Sequence, residues 1–371
     1  MFSLTFIAHE VHRRGGQERA AAEVLSRIAH DVAISVVARV CELPGVDVRF
    51  IPVRAPSRPA LLRTTLFARR AAAAAGSIGS TLVQSIGAAA PDADIITAQF
   101  CQAAFTARFG GLRGGGFGRR AWQRFVQSRF VASERRAYGA ARLRRVIAVS
   151  SGVGRELEEF YGVRADRIRV IPNGVDHAVF HPLTATERSA ERARLGLPAS
   201  ACVALFLGGD WERKGVRDAI TAIAGMPDVV LAIVGNGDQS AMRTHAARVG
   251  ASSQLHFGGM SRTPERWYQV ADFLLFPSRY EAFSLVTLEA AASGLPIVAH
   301  SINGTEDLIV SGENGFLSDW GPDALRTHVT ALRDDPVLRA RLGAGALESS
   351  RRYGWDRIAG EHLHLLREAN G

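Results

Sequence analysis

Lysine is almost absent from this sequence. Of 45 basic residues only Lys214 is a lysine, and all the others are arginines. An ammonium group is a compact point charge that the planar guanidinium group does not reproduce. The single lysine is therefore a candidate for a specific role, with a chance remnant of the composition as the plain alternative.

Cysteine and long apolar runs are also scarce. Cys41, Cys101 and Cys202 are odd in number and widely separated, which argues against a disulfide framework or a zinc site and predicts three core thiols. No run approaches the roughly 20 apolar residues that span a bilayer. The first apolar residues precede the first charges, the reverse of a signal peptide, so the sequence predicts a cytoplasmic protein.

Positive charge is concentrated in one part of the chain. Residues 1–150 hold 22 Arg against 9 acidic residues, a net charge of +13, whereas residues 151–371 carry −4. Such a surplus of positive charge suggests nucleic-acid binding as one function to consider. Because no helix-turn-helix, zinc-finger or RNA-recognition pattern accompanies the charge, no nucleic-acid partner is predicted.

Short apolar runs alternate with helical patterns along the whole chain, which predicts parallel sheets with crossover helices. The predicted strands of the first series are 2–8, 32–38, 48–52, 94–98 and 145–149. Those of the second series are 202–207, 229–234, 254–257, 272–276 and 297–299. A chain of 371 residues exceeds the usual size of a single core, and the proline-containing segment 170–183 is typical of a linker. The basic glycine segment 108–120 is predicted to be a loop.

One pair of glycines follows the first strand of each series. Gly15 and Gly16 precede one helix, and Gly208 and Gly209 precede another together with Arg213 and Lys214. Glycines let backbone N–H groups face an anion at a helix start, and the carboxyl end of a parallel strand is where ligands bind. The pattern predicts phosphate contacts, with plain turns and a solvated cation pair as the structural alternatives.

Two glutamates, Glu281 and Glu289, stand eight positions apart in the segment 277–299. The pattern predicts a loop at Glu281 and a helix from about Ser284 to Ala292. A fully helical path would separate the two Cα atoms by roughly 12 Å, more than the ~5 to 9.5 Å between the carboxyl groups of a glycosidase pair. This disfavours a paired acid and base and favours carboxylates that each bind a different hydroxyl group.

The segment E-A-F-S-L-V-T-L-E-A-A-A-S-G-L-P resembles the E-x7-E signature of the retaining, nucleotide-sugar-dependent glycosyltransferases of family four, which have the GT-B fold. Further segments match in the same order along nearly the whole chain, at 15–19, 146–153, 171–176, 208–215, 257–260 and 354–363. The resemblance implies an α/β protein with two Rossmann-like parallel-sheet domains facing across a cleft. Residues 1–180, completed by a C-terminal helix that crosses back within 353–371, would form the acceptor side, and 181–352 would bind the donor.

The resemblance also implies roles for four charged residues. Arg213 and Lys214 would neutralise the donor diphosphate. Glu281 would hold hydroxyl groups of the donor sugar, and Glu289 would accept hydrogen bonds from both ribose hydroxyls.

Backbone groups are assigned in the same way. Backbone N–H groups of two glycine turns and one helix start would contact the diphosphate, at Gly15, Gly16, Gly209, Ser284, Leu285 and Val286. The backbone around Met260 would contact the base.

The implied activity is transfer of a hexose-type sugar from a nucleoside diphosphate sugar to an acceptor hydroxyl of a glycan, glycolipid or small molecule, with retained configuration. UDP-sugars are favoured over GDP-mannose as co-substrate, and no cofactor or metal is expected. The pair Asp92 and Asp94 precedes its strand, the wrong edge of a sheet for ligands. A UDP-sugar epimerase on the same scaffold is the alternative, since fold alone does not fix activity.

The sequence departs from the family in one respect. Many relatives carry a histidine near the donor sugar in the first domain, but here none occurs between His30 and His177. The candidates for a replacement are Gln99, Gln102, His9 and His12.

The region from Arg119 to Arg145 interleaves arginines with Trp122, Phe125, Phe130 and Tyr138. The spacing predicts an amphipathic helix that lies on an anionic membrane, or one whose aromatic residues pack inward and whose arginines are simply solvated. The excess charge also fits an acidic or lipid-linked acceptor. A monomer or weak dimer is expected, and under the first interpretation it would be peripheral on the inner face of the membrane.

Overall fold

The protein was analysed as a computed structural model that describes residues 2–110 and 117–371, with the backbone alone described at 117–120. The chain forms two compact units, Met1–Asn173 with Trp355–Gly371, and Gly174–Gly354. Of the loop predicted at 108–120, residues 111–116 lie outside the described residues, and both ends of the prediction are wrong, since one helix ends at Phe109 and the next begins at Phe117. Among the helices that are described, none is long and apolar enough to cross a membrane.

The first unit is built on a parallel sheet of seven strands in the order β5-β3-β1-β6-β7-β8-β9, with β2 and β4 paired beside it. Its strands are β1 (Ser3–Ile7), β2 (Glu10–Val11), β3 (Ala33–Ala38), β4 (Val40–Cys41), β5 (Arg49–Pro52), β6 (Leu82–Ile86), β7 (Ile95–Ala98), β8 (Arg145–Ala148) and β9 (Ile168–Val170). Its helices are α1 (Gln17–Ile28), α2 (Ala60–Ile78), α3 (Gln102–Phe109), α4 (Phe117–Tyr138), α5 (Ser151–Tyr161) and the C-terminal helix (Trp355–Asn370).

The C-terminal helix belongs to the first unit, as the family resemblance implied, and packs against α1. Arg27 Nε lies 2.6 Å from Asp356 Oδ1, and Arg367 Nη2 lies 2.8 Å from Asp31 Oδ1. These ion pairs are exposed and contribute little stability by themselves. The apolar face of the helix, with Ile358 and Leu366 buried, holds it in place.

The second unit has a parallel sheet of six strands in the order β12-β11-β10-β13-β14-β15. Its strands are β10 (Cys202–Leu207), β11 (Val229–Val234), β12 (Leu255–Gly259), β13 (Phe273–Phe276), β14 (Ile297–His300) and β15 (Gly315–Ser318). Its helices are α6 (Ala185–Arg194), α7 (Trp211–Lys214), α8 (Val216–Ile223), α9 (Gln239–Val249), α10 (Pro264–Val270), α11 (Leu285–Ala292), α12 (Thr305–Leu308), α13 (Pro322–Asp334) and α14 (Pro336–Ser350). Helices on both faces bury the strands, which is why these read as continuous apolar runs.

The prediction of two parallel sheets is confirmed, and every predicted strand overlaps an observed one. Three longer strands were missed: β6, β9 and β15. Strand β6 (LVQSI) carries Gln84 and Ser85, which interrupt its apolar run, yet both are buried and Gln84 donates to Thr97 on β7 at 3.0 Å. Strand β15 begins at Gly315, where a Cβ would lie 2.3 Å from the Ile297 carbonyl oxygen, so close strand pairing requires glycine there.

Candidate functional site

The strand order of the second unit reverses between β10 and β13. In open parallel sheets such a reversal leaves a crevice beyond the carboxyl ends of the two strands, and ligands bind there. The segments that follow these strands are 208–215 and 277–284. They contain five of the residues that the sequence singled out: Gly209, Arg213, Lys214, Glu281 and Ser284.

Glycines bring these two segments into contact. Gly215 has φ +77°, and a Cβ there would lie 2.2 Å from the Pro277 carbonyl oxygen. Gly208 has φ +138°, and a Cβ there would lie 2.8 Å from Lys214 Cε. The lysine side chain therefore lies along backbone that only glycine leaves open, and its ammonium stands 4.7 Å from the centre of the Phe276 ring.

Glu281 joins the two cations predicted from the sequence. Its Oε1 accepts hydrogen bonds from Arg213 Nη1 at 3.0 Å, from Lys214 Nζ at 3.0 Å and from Ser278 Oγ at 2.9 Å. Arg213 also donates to Asp210 Oδ2 at 3.0 Å and to the Tyr280 carbonyl oxygen. We call Arg213, Lys214 and Glu281 the cation cluster.

In the cation cluster, attraction between opposite charges favours the ionised forms of Glu281 and Arg213 although both are shielded from water. Burial by itself raises the pKa of Glu281, but attraction to Lys214 and Arg213 outweighs it, so the pKa is lowered. Burial lowers the pKa of Arg213, but Glu281 and Asp210 outweigh it and the pKa is raised. Arg213 and Glu281 therefore form an ion pair at neutral pH.

Helix α11 begins beside the cluster. Ser284 is its N-cap and makes no side-chain capping bond, so the first N–H groups, including those of Leu285 and Val286, have no partner within the helix. Such N–H groups, together with the helix dipole, favour a negative charge at this end. The structure also confirms that Glu281 lies in a loop and Glu289 on the helix.

Glu289 is buried, and the hydroxyl group of Tyr268 donates to its Oε2 at 2.8 Å. Tyr268 lies on α10 and Ser278 follows β13; sequence reasoning missed both. Neither has a local signal, because Tyr268 meets Glu289 only through tertiary packing. Met260 follows β12, and 77% of its surface is exposed. Gly209 follows β10, and a Cβ there would approach only the Asn236 carbonyl oxygen, at 3.9 Å.

The Gly15 and Gly16 turn lies at the corresponding edge of the first unit, where the strand order reverses between β1 and β6. Gly15 has φ +81°, and Gly16 is the N-cap of the 12-residue helix α1, with no side-chain capping bond. The structure thus places backbone N–H groups at a helix start here as well.

The candidates for the missing histidine have different surroundings. Burial, with help from Arg63 and Arg39, lowers the pKa of His9 to about 4, so its ring is neutral at pH 7. His12 Nε2 lies 3.3 Å from Glu10 Oε2. The Gln99 amide donates to Asn173 at 3.0 Å, and that of Gln102 donates to Thr106 at 3.3 Å.

In the acidic pair before β7, Asp94 has a structural role. Asp94 is buried, accepts from the Val83 backbone N–H at 2.9 Å and pairs with Arg142 at 2.9 Å, while Asp92 is exposed. Across the residues that the structure describes, no cluster of three or more His, Cys, Asp or Glu side chains is arranged to hold a metal.

Glu134 is a half-buried carboxyl group on α4 that joins three helices. It accepts from the backbone N–H of Gln102 at 2.9 Å and from the hydroxyl group of Tyr161 at 2.5 Å. Burial raises its pKa to about 7, although these two hydrogen bonds oppose the shift.

The folded state therefore keeps a proton on Glu134 that the unfolded chain releases near pH 4.5, and stability should fall as pH rises between those values. Relative to Glu134→Gln, the parent should lose roughly 3 kcal/mol of unfolding free energy from pH 4.5 to above pH 7. Urea titrations across this range would measure the difference, with exposed Glu159→Gln as control. Parallel curves for parent and Glu134→Gln would contradict the shift.

Family comparisons support the resemblance in both units. Residues 187–349 match the model of the glycosyl transferases group 1, and residues 14–179 match that of glycosyltransferase family 4. A D-inositol 3-phosphate glycosyltransferase of Xylanimonas cellulosilytica is 35% identical over 236 residues, 60% of this chain and 57% of that protein. The protein of the same name from Acidothermus cellulolyticus is 35% identical over 232 residues, 58% and 51% of the two chains. The chain thus spans little more than half the length of these relatives.

Solved structures match over nearly the whole chain. WaaG, a glycosyltransferase involved in lipopolysaccharide biosynthesis, has a TM-score of 0.82 at 19% identity and covers 98% of this chain and 99% of its own. HepE of Anabaena, in complex with UDP and glucose, has a TM-score of 0.80 at 18% identity and covers 99% and 100%.

Two Rossmann-like parallel-sheet units, similar throughout to these structures, define a protein of the GT-B fold class. With both family models matched in succession along the chain, the assignment goes further. The chain belongs to glycosyltransferase family 4.

Proposed function

We propose that the protein transfers a hexose-type sugar from a nucleoside diphosphate sugar to an acceptor hydroxyl, with retention of configuration and without a metal ion. The cation cluster carries this proposal. It places two cations, fixed by one carboxylate, at the edge of a parallel sheet where phosphate-bearing ligands bind. Membership of the family supports it.

Cleavage of the bond between sugar and phosphate develops negative charge on the leaving diphosphate. Arg213, Lys214 and the N–H groups at the start of α11 would stabilise that charge from fixed positions. The leaving phosphate oxygen would take the proton of the acceptor hydroxyl on the same face of the sugar. The protein would then contribute mainly position and charge, without a nucleophile of its own.

The carboxylates would bind the two ends of the donor. Glu281, kept ionised by its two cations, would accept from sugar hydroxyls. Glu289, oriented by Tyr268, would accept from the ribose, and the backbone at Met260 would contact the base. UDP is the favoured nucleotide, in line with the UDP in the HepE structure.

The first acceptor to test follows from the relatives, which are named D-inositol 3-phosphate glycosyltransferases. A phosphate-bearing polyol also fits the positive charge of residues 1–150. A glycan or a lipid-linked acceptor is the other class to include.

The test is incubation of the protein with UDP-sugars or GDP-mannose, with and without D-inositol 3-phosphate, in the presence of EDTA. We expect UDP release that depends on an acceptor, persists in EDTA and gives a product whose anomeric configuration, measured by NMR, matches the donor. An inverted product would overturn the retaining assignment. A new UDP-sugar epimer formed without any acceptor would instead identify an epimerase.

A further inference from the structure

One face of α4 carries two exposed aromatic rings beside arginines. Trp122 is 57% and Phe125 50% exposed, and their ring centres lie 5.7 Å apart. Arg129 and Arg136 are also exposed. At 3.6 residues per turn, these four residues fall within roughly 60° of the helix circumference. We call them the outer arc of α4.

The opposite side of α4 faces the interior of the first unit. Tyr138 is buried, and Val131 packs against the cluster that contains Cys101. Glu134, the single acidic residue of this helix, points the same way, because it accepts from Gln102 and Tyr161. The inward contacts fix which side of the helix faces solvent, and they keep its one carboxyl group off the outer arc.

The sequence left two alternatives for the four aromatic residues, and the structure divides them. Tyr138 is buried and Phe130 is half-buried, whereas Trp122 and Phe125 are exposed. Neighbouring exposed aromatic rings on an arc whose four residues include no acid are typical of an interaction site rather than of solvated protein surface.

We propose that the outer arc docks on an anionic lipid bilayer. Tryptophan and phenylalanine rings insert at the level of the headgroups, and arginines bind lipid phosphates from the same side. A helix of 22 residues offers an extended, convex surface about 33 Å long. Such a surface fits against a bilayer better than into a groove of a partner protein. A soluble polyanion accounts for the arginines but gives the paired rings no partner.

The test is co-sedimentation of the full chain with phosphatidylcholine vesicles that contain or lack phosphatidylglycerol, at low and high salt. We expect binding that requires phosphatidylglycerol and weakens as salt shortens the screening length. Absence of binding at low salt, or equal binding to both vesicles, overturns the proposal.

Variants separate the rings from the charge. Arg129→Gln with Arg136→Gln should weaken vesicle binding by about fivefold per arginine, whereas Arg351→Gln with Arg357→Gln, which removes the same charge at exposed positions elsewhere, should not. Trp122→Ala with Phe125→Ala keeps the charge and should still weaken binding to vesicles while leaving binding to polyglutamate unchanged. If the ring variant binds vesicles like the parent, the lipid proposal is wrong. It is also wrong if every variant loses as much affinity for polyglutamate as for vesicles, because the arc then binds polyanions in general.

Discussion

Replacing Lys214 with alanine is expected to lower kcat/KM for sugar transfer by about 30- to 1000-fold, which corresponds to roughly 2 to 4 kcal/mol of transition-state stabilisation. The ammonium is held 3.0 Å from Glu281 Oε1 at the carboxyl edge of the sheet, where the leaving diphosphate would gain charge. Steady-state kinetics with a UDP-sugar would measure the loss. Activity within threefold of the parent would contradict the role.

Arginine should not fully replace this lysine. The Lys214 side chain packs against Gly208, where even a Cβ would come within 2.8 Å of it, so a longer, planar guanidinium has to shift. Lys214→Arg should therefore be impaired, though less than the alanine variant. Arg217→Gln is the matched control, because Arg217 lies three residues further on and pairs with exposed Glu212 at 3.1 Å. A comparable loss in Arg217→Gln would indicate a general effect of charge.

The sequence predicted the fold well because the information is local. Parallel strands buried on both faces are apolar throughout, and β10 and β13 were found at nearly their observed bounds. Strand β6 was missed because its buried Gln84 reaches its partner, Thr97, only across the sheet. A polar residue satisfied by a tertiary contact looks, in sequence, like a solvated one.

The candidate site was predictable in its parts and not in its connections. Glycines and charges after a strand indicated Arg213 and Lys214, but Glu281 is 67 residues from Lys214 along the chain. No local pattern states that one carboxylate oxygen accepts from both cations. In the same way, the spacing in α4 was compatible with either side facing out, and its contacts with α3 and α5 decide which does.

Glu289 and Glu281 are expected to act on different parts of the donor. Glu289→Gln keeps an acceptor for the Tyr268 hydroxyl, so the fold should persist. Loss of charged hydrogen bonds to ribose should weaken UDP and the UDP-sugar alike, by about 10- to 100-fold in Kd. Calorimetric titration with both ligands would measure this, and a loss confined to the UDP-sugar would contradict a ribose role.

Glu281→Gln should behave differently because its carboxylate also neutralises the two cations. Arg213 and Lys214 each lie 3.0 Å from the same oxygen, so without the negative charge they face each other and attract a diphosphate at least as strongly as before. Free UDP should then bind within threefold of the parent or more tightly, while the UDP-sugar loses its hydroxyl contacts and transfer falls at least as far as in Lys214→Ala. Glu212→Gln, at an exposed carboxylate of the same segment, controls for the change in net charge. Equal losses of UDP and UDP-sugar affinity in Glu281→Gln would show that this carboxylate serves the nucleotide, and the division between the two glutamates would be wrong.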